Sequence, residues 1–152
     1  YIVDMSGSMY GARFERARRE LISSIDKLNP EQSFHVFFFS DQTFPLFFPK
    51  PATNLIKANS SNKKKAVRWI RAREPGGLTN PIMSLRSALE LKPDVIFLLT
   101  DGEVDDPEQV RKIIQDNNVR TTIHTIAFEN EDGATTLERI AKENRGSFRF
   151  VR

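Results

Sequence analysis

At 152 residues, with 39% hydrophobic and 28% charged side chains, the chain suits one domain with a substantial core and leaves little room for a second. Cysteine is absent, which excludes a disulfide framework, a thiolate metal site and a cysteine nucleophile. No stretch approaches the roughly 20 apolar residues of a membrane helix, and no signal-like start is present.

The chain opens on Tyr1 and enters a strand at once, so residues 1–152 are expected to be one domain cut from a longer protein. Ile2-Val3 leads to Asp4 as the end of that short buried strand. Ala12 to Leu28 is predicted as a helix, since Phe14, Ala17, Leu21, Ile25 and Leu28 recur at three- and four-residue steps. Asn29-Pro30 stops it. Ser33 to Ser40 is too aromatic and too short for anything but a strand. Gln42 to Phe48 is a weaker strand, placed at an edge by Pro45, which forfeits a ladder hydrogen bond. Pro49 to Asn62 is expected to be a loop or an irregular crossover, and its Asn59-Ser60-Ser61 matches a glycosylation pattern by chance.

Lys63 to Arg73 follows as a helix with six basic residues and no acids. Ala66, Val67, Trp69 and Ile70 share one arc while Lys64, Lys65, Arg68 and Arg71 take most of the other, the pattern of a solvated face. Glu74-Pro75-Gly76-Gly77 breaks the chain, and Asn80-Pro81 starts a helix to about Leu91. Val95 to Leu99 is a continuous apolar run, the mark of a strand covered on both faces. Asp106-Pro107 opens another helix with Gln109 placed to complete the cap. Thr121 to Ala127 is a strand. Thr135 and Glu138 form a capping-box pattern, Gly146 follows the helix end, and Ser147 to Val151 is the last strand. Six strands interleaved with five helices give a doubly wound α/β domain. Its sheet is mostly parallel and six-stranded, with helices on both faces and one antiparallel edge strand. A final helix over that last strand is expected beyond Arg152.

In such a sheet, ligands gather beyond the carboxyl ends of the strands, where strand order reverses. Asp4 and Asp101 both fall at strand ends, and if their strands are neighbours the two carboxylates face each other across one crevice. Left alone they would repel, and one would resist ionisation; a divalent cation removes the conflict. Ser6 and Ser8 place hydroxyls two and four residues after Asp4, with Gly7 between them. Thr79 follows Gly76-Gly77, so a third hydroxyl can approach from the opposite side. Oxygen-only donors select magnesium, manganese or calcium over zinc or copper.

This constellation resembles the metal-ion-dependent adhesion site of von Willebrand factor A domains, the family that includes integrin inserted domains. The family pattern is Asp-x-Ser-x-Ser, a distant Thr after a Gly-Gly turn, and Asp in Thr-Asp-Gly. Asp4, Ser6, Ser8, Thr79 and Asp101 match all five positions, and the strand order matches along nearly the whole chain. The resemblance implies direct metal ligation by Ser6 and Ser8, action mostly through water by Asp4 and Asp101, and either mode for Thr79. It also implies a Rossmann-like fold, Mg2+ (or Mn2+ or Ca2+) as cofactor, and cell-adhesion or assembly work in which a protein partner supplies an Asp or Glu to the open metal position. Family members are found inside and outside cells, often beside membrane spans, so an envelope or membrane-anchored parent protein is favoured over a cytoplasmic one.

Other chemistries fit less well. A haloacid dehalogenase-type phosphatase needs a second carboxylate two residues after the first, and Ser6 stands there. Met5-Ser6-Gly7-Ser8-Met9 is not a serine-hydrolase elbow, and no Gly-rich phosphate loop is present. His35 and His124 sit inside predicted strands and read as packed histidines. Arg13, Arg16, Arg18 and Arg19 read as a solvated helix face, though Arg13 or Arg16 can reach an acidic partner. Glu103, Asp105 and Asp106 read as helix-start acids, with a second cation as the alternative. The remaining alternative is nucleic-acid or membrane-surface binding through the Lys63 to Arg73 run. The sequence is therefore read as a non-enzymatic binding module.

Overall fold

Short stretches rich in apolar residues set the strands of the computed structural model, which describes residues 1–102, 104, 106–118, 120–128 and 133–151. The strands are β1 (Ile2–Asp4), β2 (Ser33–Phe34), β3 (Phe37–Phe39), β4 (Thr43–Pro45), β5 (Ile56–Lys57), β6 (Val95–Thr100), β7 (Thr122–Phe128) and β8 (Phe148–Val151). The helices are α1 (Ala12–Lys27), α2 (Ser60–Arg71), α3 (Ile82–Glu90), α4 (Pro107–Asn117) and α5 (Ala134–Glu143). The main sheet has six strands in the order β4-β3-β1-β6-β7-β8. All neighbours in it are parallel except β4, which runs antiparallel to β3 at the edge. Pro45 sits in that edge strand, where its missing N–H costs least.

Successive β-strand side chains point to opposite faces, and here each face is covered. Val3, Phe38 and Leu99 join Phe14, Leu21 and Ile25 of α1 and Ala66 and Ile70 of α2. Ile2, Phe37, Ile96 and Leu98 join Leu85 and Leu89 of α3, Val110 and Ile114 of α4, and Leu137 and Ile140 of α5. Each such aliphatic or aromatic side chain contributes about 1.5–3 kcal/mol when withdrawn from water. That favours the central β1, whose Ile2 and Val3 are buried on its two faces. Among the described residues, no helix is long and apolar enough to cross a membrane.

Four local expectations change. The Ser33 to Ser40 run is two strands, because the chain changes partner: Phe34 pairs with Ile56, whereas Phe37 pairs with Ile2. His35 and Val36 lie in the break. The stretch expected to be a loop therefore contains β5, a two-residue strand too short to show periodicity. Helix α2 begins before the basic run, at Ser60, because the Asn59 side chain accepts a hydrogen bond from the Asn62 N–H at 2.9 Å. Helix α5 starts at Ala134 with Gly133 before it and no side-chain cap, so Thr135 lies inside the helix. A Cβ on Gly133 would meet the Gly102 carbonyl oxygen at 1.4 Å, so only glycine fits this helix start against the loop after β6.

Candidate metal centre

Register fixes where the two acids stand. Val3 of β1 pairs with Leu99 of β6, so Asp4 is level with Thr100 and Asp101 follows one residue later. Both carboxylates are fully buried at the carboxyl end of neighbouring strands. Asp4 Oδ1 accepts the Ser6 backbone N–H at 2.8 Å, and its Oδ2 accepts the Thr100 hydroxyl at 2.7 Å. These bonds hold the carboxylate in one orientation. Burial pushes the Asp4 carboxyl up to about 6; the Ser6 and Thr100 bonds work against that rise, and the Asp101 charge adds to it.

The chain then turns tightly. Residues Gly7–Met9 form one turn of 3-10 helix, in which Met9 N–H donates to the Ser6 carbonyl at 3.1 Å and Tyr10 N–H to that of Gly7 at 3.2 Å. The turn brings the Ser6 and Ser8 hydroxyls within 3.0 Å of each other. Ser6 is buried and Ser8 is exposed, so the pair runs from the crevice floor to its rim.

A second loop is stitched to the first by two backbone bonds: Gly76 N–H to the Met5 carbonyl at 2.7 Å, and Gly7 N–H to the Gly77 carbonyl at 2.9 Å. Gly77 has φ +86°, a conformation that favours glycine, and a Cβ there would lie 2.2 Å from Asp41 Oδ1, which would have to move aside. Asn80 N–H donates to the Ser40 carbonyl at 3.0 Å, closing the loop against the end of β3. Thr79 lies between these anchors, half-buried. The Asn80 side chain accepts the Ile82 N–H at 3.1 Å, while Pro81, expected as the first helical residue, stands at the cap position before α3.

Asp4, Ser6, Ser8 and Asp101 thus share one end of the sheet, with the loop carrying Thr79 fastened beside them. Among the described residues no three acids or histidines gather, so the donors here are two carboxylates and neutral hydroxyls. That set suits a hard divalent cation, which would offset the buried negative charge of the two carboxylates. A cavity of about 840 Å³ lies at the opposite end of the sheet, lined by Tyr1, His35, Leu55, Leu91, Val95 and Phe97 among others, away from these donors.

Two residues take roles that the sequence analysis did not give them. Thr100 orients Asp4, and the clue was its place level with Asp4 just before Asp101. Arg13 is the other: its Nη1 donates to the Ser8 carbonyl at 3.2 Å and lies 3.6 Å from Asp101 Oδ2. The expectation of a solvated arginine face on α1 holds only for the exposed Arg19. Arg13, Arg16 and Arg18 are half-buried, and Arg18 donates to the Arg73 carbonyl at 2.7 Å while lying over the Phe14 ring.

On α2, Lys64, Lys65, Arg68 and Arg71 are exposed while Ala66 and Ile70 are buried, as in an ordinary amphipathic helix. Asp106 caps α4, accepting the Gln109 N–H at 3.1 Å; Glu103 and Asp105 lie outside the described residues. His35 stacks on Phe37 with its Nε2 2.9 Å from the Ala52 carbonyl oxygen, and His124 Nδ1 accepts the Ser147 N–H at 3.1 Å.

The same architecture occurs in known proteins. The chain is 29% identical over 170 aligned positions to inter-alpha-trypsin inhibitor heavy chain 4 of Mus musculus, covering 99% of this chain and 17% of that protein. It therefore spans under a fifth of the length of this curated relative. Its backbone is similar to that of a von Willebrand factor type A protein from Catenulispora acidiphila, with TM-score 0.86, 22% identity, and coverage of 99% and 37% of the two chains. It is also similar to the ArnB paralog VWA2 from Sulfolobus acidocaldarius, with TM-score 0.68, 16% identity, and coverage of 99% and 40%. The family model for the von Willebrand factor type A domain matches residues 1–150, and the chain belongs to that family.

Proposed function

We propose that this domain is a cation-dependent protein-binding module in which Asp4, Ser6, Ser8, Thr79 and Asp101 hold one Mg2+ or a similar ion that coordinates an Asp or Glu of a partner. Domains of this family typically bind other proteins and commonly a divalent metal. The observation that carries the reading is the pair of fully buried carboxylates on adjoining strand ends, set beside two hydroxyls 3.0 Å apart.

The bound ion would supply positive charge with an unfilled coordination position. The chain's own residues do the rest. Thr100 and the Ser6 N–H fix the Asp4 carboxylate, the 3-10 turn presents Ser6 and Ser8, and the Gly76–Gly77 stitch holds the Thr79 loop against them. Neutral hydroxyls leave more of the ion's charge for an incoming carboxylate than acidic ligands would. No catalytic role is proposed. Ser6 stands where a haloacid dehalogenase-type phosphatase needs its second acid, His35 Nε2 bonds the Ala52 carbonyl, and His124 Nδ1 bonds Ser147.

The test is capture of protein by the immobilised domain from native extract. A partner retained in millimolar Mg2+, released by EDTA and not retained by Asp101→Ala is the expected result. Retention that survives EDTA at low salt and disappears at high salt would instead favour the basic helix face as the binding surface.

A further inference from the structure

Arg13 occupies a place for which the proposed binding function has no use. Among the described residues, its guanidinium reaches from the first turn of α1 to two other elements, donating to the Ser8 carbonyl at 3.2 Å and standing 3.6 Å from Asp101 Oδ2. Those elements are the turn bearing the two hydroxyls and the strand end bearing the second acid, the same pair that a divalent ion would join. Asp101 is fully buried and the Arg13 side chain only one-third exposed, so water screens their attraction weakly. An arginine cannot shed its charge within the range in which proteins fold. A divalent ion arriving beside Asp101 therefore meets a fixed positive charge, and the conflict is relieved only if the flexible side chain moves away.

We propose that Arg13 is a built-in counter-cation that competes with the divalent ion for Asp101, stabilising the metal-free domain while weakening its hold on the metal. The proposal rests on the metal-binding reading above and concerns what sets the affinity of that site. A residue whose role is purely structural behaves differently, because its loss weakens the fold and the metal site together. A competitor has opposite effects on the two.

The experiment titrates the parent domain, Arg13→Gln and Arg13→Lys with Mn2+, following free Mn2+ by electron paramagnetic resonance, and melts each protein in excess EDTA. Arg13→Gln is expected to bind Mn2+ on the order of tenfold more tightly, since one repelling unit charge is removed at close range. Its melting temperature in EDTA is expected to fall by about 2–4 °C. Arg13→Lys keeps the charge and is expected to bind within about threefold of the parent. Binding by Arg13→Gln that is equal to or weaker than the parent's overturns the competition and leaves the metal site standing. A parent domain that takes up no Mn2+ overturns both.

Discussion

The two ends of the central sheet bury titratable groups in contrasting ways. At the carboxyl end, Asp4 and Asp101 are fully buried on adjacent strands, and burial raises the Asp4 carboxyl to about 6. At the amino end, His35 is 4% exposed and burial lowers its affinity for a proton. Low dielectric opposes charge at both places. The amino end resolves the conflict locally, with a neutral imidazole stacked on Phe37 and bonded to the Ala52 carbonyl. The carboxyl end is built differently: two acids stand together, Arg13 lies beside one of them, and the Ser6 and Ser8 hydroxyls follow the other in the chain. At one end a buried group is kept neutral, and at the other two acids are kept side by side.

Removing a donor hydroxyl strikes that contrast hardest. Ser6→Ala is expected to abolish the rise in melting temperature on adding millimolar Mg2+ or Mn2+, with affinity reduced on the order of 100-fold, while metal-free stability changes little. Thermal melts with and without metal check this. Gly77→Ala comes next. Its Cβ would collide with Asp41 Oδ1 at 2.2 Å in a positive-φ conformation, so it should cost about 1–3 kcal/mol and weaken metal binding by loosening the Thr79 loop. Denaturant titration and a Mn2+ titration on the same variant separate the two effects.

The third effect is the opposite pH response of the two ends. A folded Asp4 that titrates near 6, against an ordinary 3.8, contributes stability fully present below about pH 3.8 and lost as pH rises through about 6. His35, lowered from 6.5, contributes stability present above about pH 6.5 and lost as pH falls through its folded value. Between pH 7 and 5 in EDTA the two changes oppose each other. Relative to the parent, Asp4→Asn should lose more stability on acidification, by about 1–2 kcal/mol, and His35→Phe should lose less. Excess Mg2+ should erase the Asp4 contribution and leave that of His35. Urea midpoints at the two pH values provide the measurement. The smallest effect lies outside both ends: Asn59→Ala, which removes the α2 cap, is expected to cost about 1 kcal/mol with metal affinity unchanged.

The same contrast explains what the sequence made legible. Val95 to Thr100 and the helix of Phe14, Leu21 and Ile25 were readable because burial on one or both faces imposes a period on many residues. Asp4 and Asp101 were readable as strand-end acids once the alternation of strands and helices was clear. β5 was not, since two residues carry no period, and neither was the partner change at His35, which depends on what Ile56 and Ile2 do elsewhere. The Thr135 capping pattern misled because tertiary contact between Gly133 and Gly102, rather than a local cap, sets the start of α5. Arg13 was named only as a residue able to reach a partner. Its position over Asp101 depends on side-chain placement across the crevice, which spacing along the chain does not encode.

The most direct test of a cation held between Asp4 and Asp101 is a stoichiometric Mn2+ titration of the metal-free parent and of Asp101→Asn, read by electron paramagnetic resonance. The account predicts one ion per chain in the parent, displaced by Mg2+, and none in Asp101→Asn at the same concentration. An ion bound equally by both proteins, or by neither, would contradict it.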